Sequence, residues 1–212
     1  MAASTASSGT AAGGDVAAGG DVAAGGDVAA GPTRVLCLGN ELISDDGVGI
    51  VAARWLCRRL AVAGTPVPPG PSLDAAMTVE AFELPRVGPV EVVETALTGM
   101  YLLEAVVGAS RLIVVDSVVT GATDPGTVLE LEESDLGGPR GSSPHYIGLL
   151  ETLDVARALG LEVPDDVVFV AVEAGDYMTV GGEMTDSVAA AVPVVVERVM
   201  ALIQDGAARA CA

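Results

Sequence analysis

The stretch Arg34-Val-Leu-Cys-Leu-Gly-Asn-Glu-Leu-Ile-Ser-Asp-Asp-Gly-Val-Gly-Ile50 constrains the fold more than any other part of the chain. A short apolar run breaks at Gly39-Asn40, and six residues later Asp45-Asp46 stand just ahead of a helical pattern. That order reads as a strand, a loop and a helix start carrying two carboxylates. In open α/β sheets ligands bind at the carboxyl ends of strands, so side chains held at such a turn face a candidate site and not the core. The single histidine, His145, also opens a helical segment.

From Thr33 onward strand and helix signals alternate. Arg34 to Leu38 reads as a buried strand and Gly47 to Leu60 as a helix with Val48, Val51, Trp55 and Leu56 on one side. Thr65-Pro-Val-Pro-Pro-Gly-Pro71 reads as a loop without regular structure. Val90 to Val93 is a second strand, and Thr98 caps a helix through Val107 that turns Met100, Leu103 and Val107 inward. Leu112 to Val115 is unbroken aliphatic, the pattern of a strand covered on both faces, and delivers Asp116 at its end. Thr127 to Leu131 is a short edge strand.

Ser143 and Pro144 place His145 in the first turn of a helix running to about Leu159, with Tyr146, Leu149, Leu150 and Leu153 as its buried stripe. Val167 to Ala171 is another buried strand, Glu173-Ala-Gly-Asp176 a polar loop, and Thr185-Asp-Ser-Val188 begins a last helix ending near Gly206. The expected architecture is α/β: a three-layer α/β/α sandwich with a mostly parallel twisted sheet of about five to six strands.

Residues 1–32 are a different material. Gly13-Gly-Asp-Val-Ala-Ala18 recurs at Gly19 to Ala24 and at Gly25 to Ala30, with single valines as its largest apolar groups. Such a segment buries too little surface to offset its chain entropy, so a disordered tail is expected there and a single α/β domain over 33–212. A calcium-binding repeat would need nine-residue spacing, which is missing.

Composition narrows the function classes. Acidic residues number 29 against 10 basic ones, for a net charge of −19, which opposes nucleic acid and anionic membranes as partners and favours a basic segment or a cation. All the basic residues are arginine, so lysine-dependent phosphate loops and Schiff bases are excluded. Cys37, Cys57 and Cys211 lie far apart and suggest neither a zinc cluster nor a disulfide framework. No signal sequence or membrane-length apolar run is apparent, so a soluble, cytoplasmic protein is expected.

Four acidic or imidazole side chains carry the candidate chemistry. One of Asp45 and Asp46 suffices to cap the helix, which leaves the other free. Asp116 either terminates its strand or faces a site at the strand end. A helix N-terminus disfavours added positive charge and so keeps His145 in the neutral form that metal coordination requires. Two carboxylates and one imidazole with open positions suit a divalent transition metal. No nucleophile elbow is present, and acidic groups occupy the turn where a dinucleotide would place its pyrophosphate.

Five segments resemble the hydrogenase maturation endopeptidases, which trim a C-terminal extension from the large subunit of nickel–iron hydrogenase. They are Gly39-Asn-Glu-Leu-Ile-Ser-Asp-Asp-Gly-Val-Gly49, Thr98-Gly-Met-Tyr-Leu-Leu103, Leu112-Ile-Val-Val-Asp-Ser-Val118, Ser143-Pro-His-Tyr-Ile-Gly-Leu149 and Thr185-Asp-Ser-Val-Ala-Ala-Ala-Val-Pro193, in the family's order. The resemblance spans Arg34 to Ile203. It implies that Asp46, Asp116 and His145 contact nickel, that Asp46 and Asp116 serve an aspartic-type peptidase, and that Glu94 stands where the family has a further acidic residue. Here Glu94 precedes Thr95-Ala96 instead of the usual glycines, and Cys37 replaces a glycine. The resemblance further implies that nickel arrives in the large-subunit precursor, and a monomer is expected. Two other readings are a peptidase of the spore-protein-degrading type on the same fold, and a nickel-handling accessory protein that does not cut.

Overall fold

The computed structural model describes residues 31–70, 75–132 and 144–210, with side-chain detail throughout except at 144–147 and 207–210. The repeats of the N-terminal segment, Ser143, Cys211 and the side chains of His145 and Tyr146 lie outside what is described.

Among the described residues seven strands form one sheet: β1 (Thr33–Leu38), β2 (Thr65–Val67), β3 (Met77–Leu84), β4 (Gly88–Thr95), β5 (Arg111–Val118), β6 (Val128–Glu132) and β7 (Asp166–Glu173). Their spatial order is β2-β3-β4-β1-β5-β7-β6. The four central strands run parallel, β1 pairing with β4 and β5, and β5 with β7. Both margins are antiparallel, β3 against β4 and β2 on one side and β6 against β7 on the other. The sheet is therefore mixed, with its parallel part in the middle, where strands are covered on both faces.

The helices are α1 (Val48–Ala63), α2 (Leu103–Val106), α3 (Pro144–Ala158) and α4 (Asp186–Ala210). Side-chain alternation along the central strands sorts the core into two layers. Val35, Cys37, Val90, Val92, Ile113, Val115, Val170 and Val172 pack with α1 and α4. Leu36, Leu38, Val93, Leu112, Val114, Phe169 and Ala171 pack with α2 and α3. The α/β/α sandwich expected from the sequence is the observed arrangement. No helix among the described residues is long and apolar enough to cross a membrane.

Several local expectations change. Thr65–Val67 is a strand and not a loop; Pro66 fits because β2 is the outermost strand, where a missing N–H breaks no further ladder. β3 and β2 carry the count beyond five to six, since the Met77–Leu84 segment is antiparallel and breaks up its apolar pattern with Glu80 and Glu83. Trp55 is 46% exposed, because the buried stripe of α1 runs through Val48, Ala52, Leu56 and Leu60 and leaves Trp55 outside it.

The helix expected over Thr98–Val107 is a 3-10 turn (Gly99–Leu102) followed by the single turn of α2. Thr98 precedes it in extended conformation without a side-chain cap bond. Leu102, Ala105 and Val106 face inward, whereas Met100 is exposed. Arg34 satisfies the helix end: its guanidinium donates to the carbonyls of Glu104, Ala105 and Val107 while pairing with Glu91 at 2.6 Å. Because α2 is so short, part of the sheet face over β3 and β4 is left as a cleft of about 770 Å³ lined by Met77, Val79, Val93 and Leu103.

One backbone contact fixes α1 against the sheet. A Cβ added at Gly49 would lie 2.0 Å from the Leu38 carbonyl oxygen and 2.8 Å from that of Val115. Only glycine lets the first turn of α1 sit on the ends of β1 and β5. Gly49→Ala is expected to cost about 3 kcal/mol of stability by forcing these backbones apart, read as a lowered urea midpoint at unchanged slope.

Candidate active site at the strand ends

At the end of β1 the chain turns through Gly39, which has φ +151° and is closed over by the Asp46 carbonyl. The Asn40 and Asp46 amides close the loop by donating to the carbonyls of Asp46 and Ile43, and a 3-10 turn (Ser44–Gly47) leads into α1. Neither aspartate caps a helix, for no side-chain cap bond is made at either helix start. The expectation that one of the pair would be consumed as a cap is therefore replaced by a tertiary role.

Asp45 is fully buried and turns away from the helix axis. Its Oδ2 accepts from the amides of Gly175 and Asp176, both at 2.8 Å. Its Oδ1 accepts from the Thr185 amide at 2.7 Å and from Thr185 Oγ1 at 2.9 Å. Main-chain bonds add to this clamp: the Asp45 amide donates to Asp176 O, the Ser44 amide to Thr179 O and the Gly181 amide to Leu42 O. Ser44 Oγ donates to Glu183 O at 2.8 Å. The loop after β1 and the loop after β7 thus form one unit.

Asp116 does not end its strand. β5 continues to Val118, and Asp116 pairs in register with Ala171 of β7. By alternation it shares the face of Val114 and Val118, the side on which α2 and α3 pack. It is completely buried, and its Oδ1 accepts from the Ser117 amide at 2.8 Å. Ser117 Oγ points the other way and donates to Oδ1 of half-buried Asp46 at 2.9 Å. One serine therefore bonds both carboxylates, its amide to Asp116 on the α3 face and its hydroxyl to Asp46 on the other side.

His145 lies in the first turn of α3, which packs through Leu149 and Leu153 on the same sheet face as Asp116. That helix start is seated closely: a Cβ at Gly148 would come within 2.7 Å of the Gly99 nitrogen. Among the described residues no group of three His, Cys, Asp or Glu side chains gathers to hold an ion, and the described part of the site is Asp46 and Asp116 linked through Ser117.

Glu94 takes the opposite face of the sheet from Asp116. It alternates with Val90 and Val92 on the α1 side of β4 and accepts from Arg54 at 2.8 Å. Arg54 also grips Glu41 with two bonds of 2.6 and 2.7 Å.

Sequence reading missed three contributors. Ser117 is marked only by following Asp116. Glu173, placed in a loop from sequence, is the buried last residue of β7 and accepts from the amides of Thr120 and Gly121 at 2.9 and 2.8 Å, which orders the loop after β5. The partnership of Asp45 with Gly175, Asp176 and Thr185 spans some 130 to 140 positions, and no local pattern signals it.

Two cysteines lie beneath the rim. Burial pushes the Cys37 thiol well up, helped by the nearby charges of Cys57, Glu94 and Asp116. Burial and then the Glu80 carboxylate push Cys57 up to about 12.

Asp45→Asn puts an amide donor against backbone donors. It should cost about 3 kcal/mol in urea denaturation and speed hydrogen exchange across residues 174–185. At pH 8 in the native protein, Cys37 and Cys57 should resist iodoacetamide by about a hundredfold or more against a free thiol and react fully once unfolded. Rapid native alkylation of either would contradict their burial.

Comparison with known proteins adds to this geometry. The Escherichia coli hydrogenase 2 maturation protease is 26% identical over 180 residues, covering 83% of this chain and 93% of that protein. The hydrogenase maturating endopeptidase HybD of Escherichia coli superposes with a TM-score of 0.61 at 23% identity, over 82% of this chain and 93% of that one. The nickel–iron hydrogenase maturation protease HybD of Thermococcus kodakarensis gives 0.59 at 22% identity, over 81% and 99%. These two structures carry the same fold. The family model described as hydrogenase maturation protease matches residues 77–202, more than half of the chain, and this protein belongs to that family.

Proposed function

We propose that this protein is an endopeptidase that removes the C-terminal extension from the large-subunit precursor of a nickel–iron hydrogenase once nickel has been inserted. The observation that carries the reading is the double hold of Ser117, which links Asp46 and Asp116 through one residue at the carboxyl ends of the central strands. Membership of the maturation protease family supports the reaction class.

Nickel is part of the substrate. Asp46 and Asp116, with His145 from the start of α3, are the groups that recognise the ion seated in the precursor. An ion gripped by these side chains and by the precursor together fixes one peptide bond beside the carboxylates, which turns an encounter of two chains into a positioned, effectively unimolecular step. Asp46 is half-buried whereas Asp116 has no exposed surface, so Asp46 is the carboxylate able to take a proton from an attacking water. Asp116 holds its place through the Ser117 amide and contributes negative charge toward the ion. The net charge of −19 favours approach of a precursor whose extension carries basic residues.

The deciding experiment incubates the protein with nickel-loaded and with nickel-free precursor and weighs the products intact. The loaded precursor should lose its extension and the nickel-free one should stay whole; equal cutting of both would end the nickel-recognition reading. Asp46→Asn, Asp116→Asn and His145→Gln should each slow trimming by about a hundredfold or more. Urea midpoints close to wild type for Asp46→Asn and His145→Gln would show that the fold is kept. Wild-type rates in any of the three variants would remove that residue from the site.

A further inference from the structure

Arg54 stands on the second turn of α1 and is half-exposed, yet it makes three short bonds to two carboxylates from different parts of the chain. One nitrogen donates to Glu41 Oε1 at 2.6 Å, and the other donates to Glu41 Oε2 at 2.7 Å and to Glu94 Oε1 at 2.8 Å. Glu41 belongs to the loop that carries Asp46. Its backbone packs directly on that segment: the Glu41 Cα is 3.3 Å from where a Cβ on Gly47 would stand, one residue after Asp46. Glu94 belongs to the end of β4, whose neighbour β1 opens the same loop. One guanidinium therefore ties the Asp46 loop to α1 and to the sheet.

The chemistry suits a strap. A planar guanidinium binds a carboxylate through two parallel bonds, which fixes orientation as well as distance, and Glu41 is held in that manner. Without the cation, two like charges would face each other across the rim. On the other flank of the loop Asp45 supplies the equivalent hold by binding Gly175, Asp176 and Thr185. Glu94 lies on the α1 side of β4, away from the face that Asp116 shares with α3.

We infer that Arg54 is a positioning residue for Asp46, acting through Glu41, and that Glu94 anchors this strap instead of touching the substrate. The inference rests on the peptidase reading above for its kinetic consequence, and on geometry alone for its mechanical one. It gives Glu94 a part in the site different from the one its place in the family pattern implies.

Four proteins test it: wild type, Arg54→Gln, Glu94→Gln and the double variant. With nickel-loaded precursor, each single change should lower kcat about tenfold while KM stays within about twofold, because a displaced carboxylate weakens the chemical step more than binding. The double variant should be no slower than the slower single, since both remove one strap. Arg54→Lys should recover only part of the rate, as an ammonium cannot hold Glu41 through two parallel bonds. Loss of all processing in Glu94→Gln beside a wild-type rate in Arg54→Gln would overturn the proposal, as would losses that multiply in the double variant.

A second readout does not depend on activity. Hydrogen exchange of the peptide spanning residues 39–47 should quicken about tenfold in Arg54→Gln. Unchanged exchange there overturns the strap whatever the kinetics. Quickened exchange in a protein whose wild type trims no precursor supports the strap and removes the peptidase reading alone.

Discussion

The buried carboxylate of Asp45 is the interaction on which the site depends. A charge with no exposed surface is tolerated only where donors replace its water, and here three amides and a hydroxyl do so. All four belong to a loop that has no strand or helix of its own to order it. The same bonds that make the burial of Asp45 possible therefore give the loop after β7 its shape. They also fix the direction in which the next residue, Asp46, leaves the turn. Glu173 repeats the device at the end of β7, where it organises the loop after β5 by accepting from Thr120 and Gly121. The rim of the sheet is thus built from internal anions that face backbone N–H groups.

Close backbone approach is the second constraint. Gly49 lets α1 start on top of the carbonyls of Leu38 and Val115, so that the segment before it is short enough to hold Asp46 over β5. There Ser117 meets it, with the amide turned to Asp116 and the hydroxyl to Asp46. Successive residues of a strand face opposite sides, and this is why Ser117 can mediate between a carboxylate on the α3 side and one above the α1 side. The same alternation sends Glu94 toward α1, where its longer side chain meets Arg54. The acidic residue at that position is thereby joined to the support of the Asp46 loop.

Much of the fold was legible because local pattern and tertiary environment agree. The aliphatic runs of β1, β5 and β7 are what strands covered on both faces require, and they are three of the four central parallel strands. The margins were harder to read. β2 is an edge strand of three residues with a proline in the middle, and β3 beside it carries Glu80 and Glu83, because strands near the margin are only partly covered and need no continuous apolar run. The helix after Thr98 begins as a 3-10 turn and keeps only its last turn as α-helix, whose end carbonyls Arg34, more than sixty positions earlier, satisfies.

What the sequence determined by itself was the alternation of the central strands with helices, the two-sided covering of those strands, and the helix that bears His145. Those depend on period, on aliphatic runs and on turn-forming residues, all of which are local. What only the tertiary structure decided was the division of labour among the acids. Asp45 and Asp46 are adjacent and chemically identical, yet one is enclosed by amides from the far end of the chain and the other remains in reach of solvent. That difference is set by which donors the fold brings within hydrogen-bond distance, a long-range property that no stretch of sequence records.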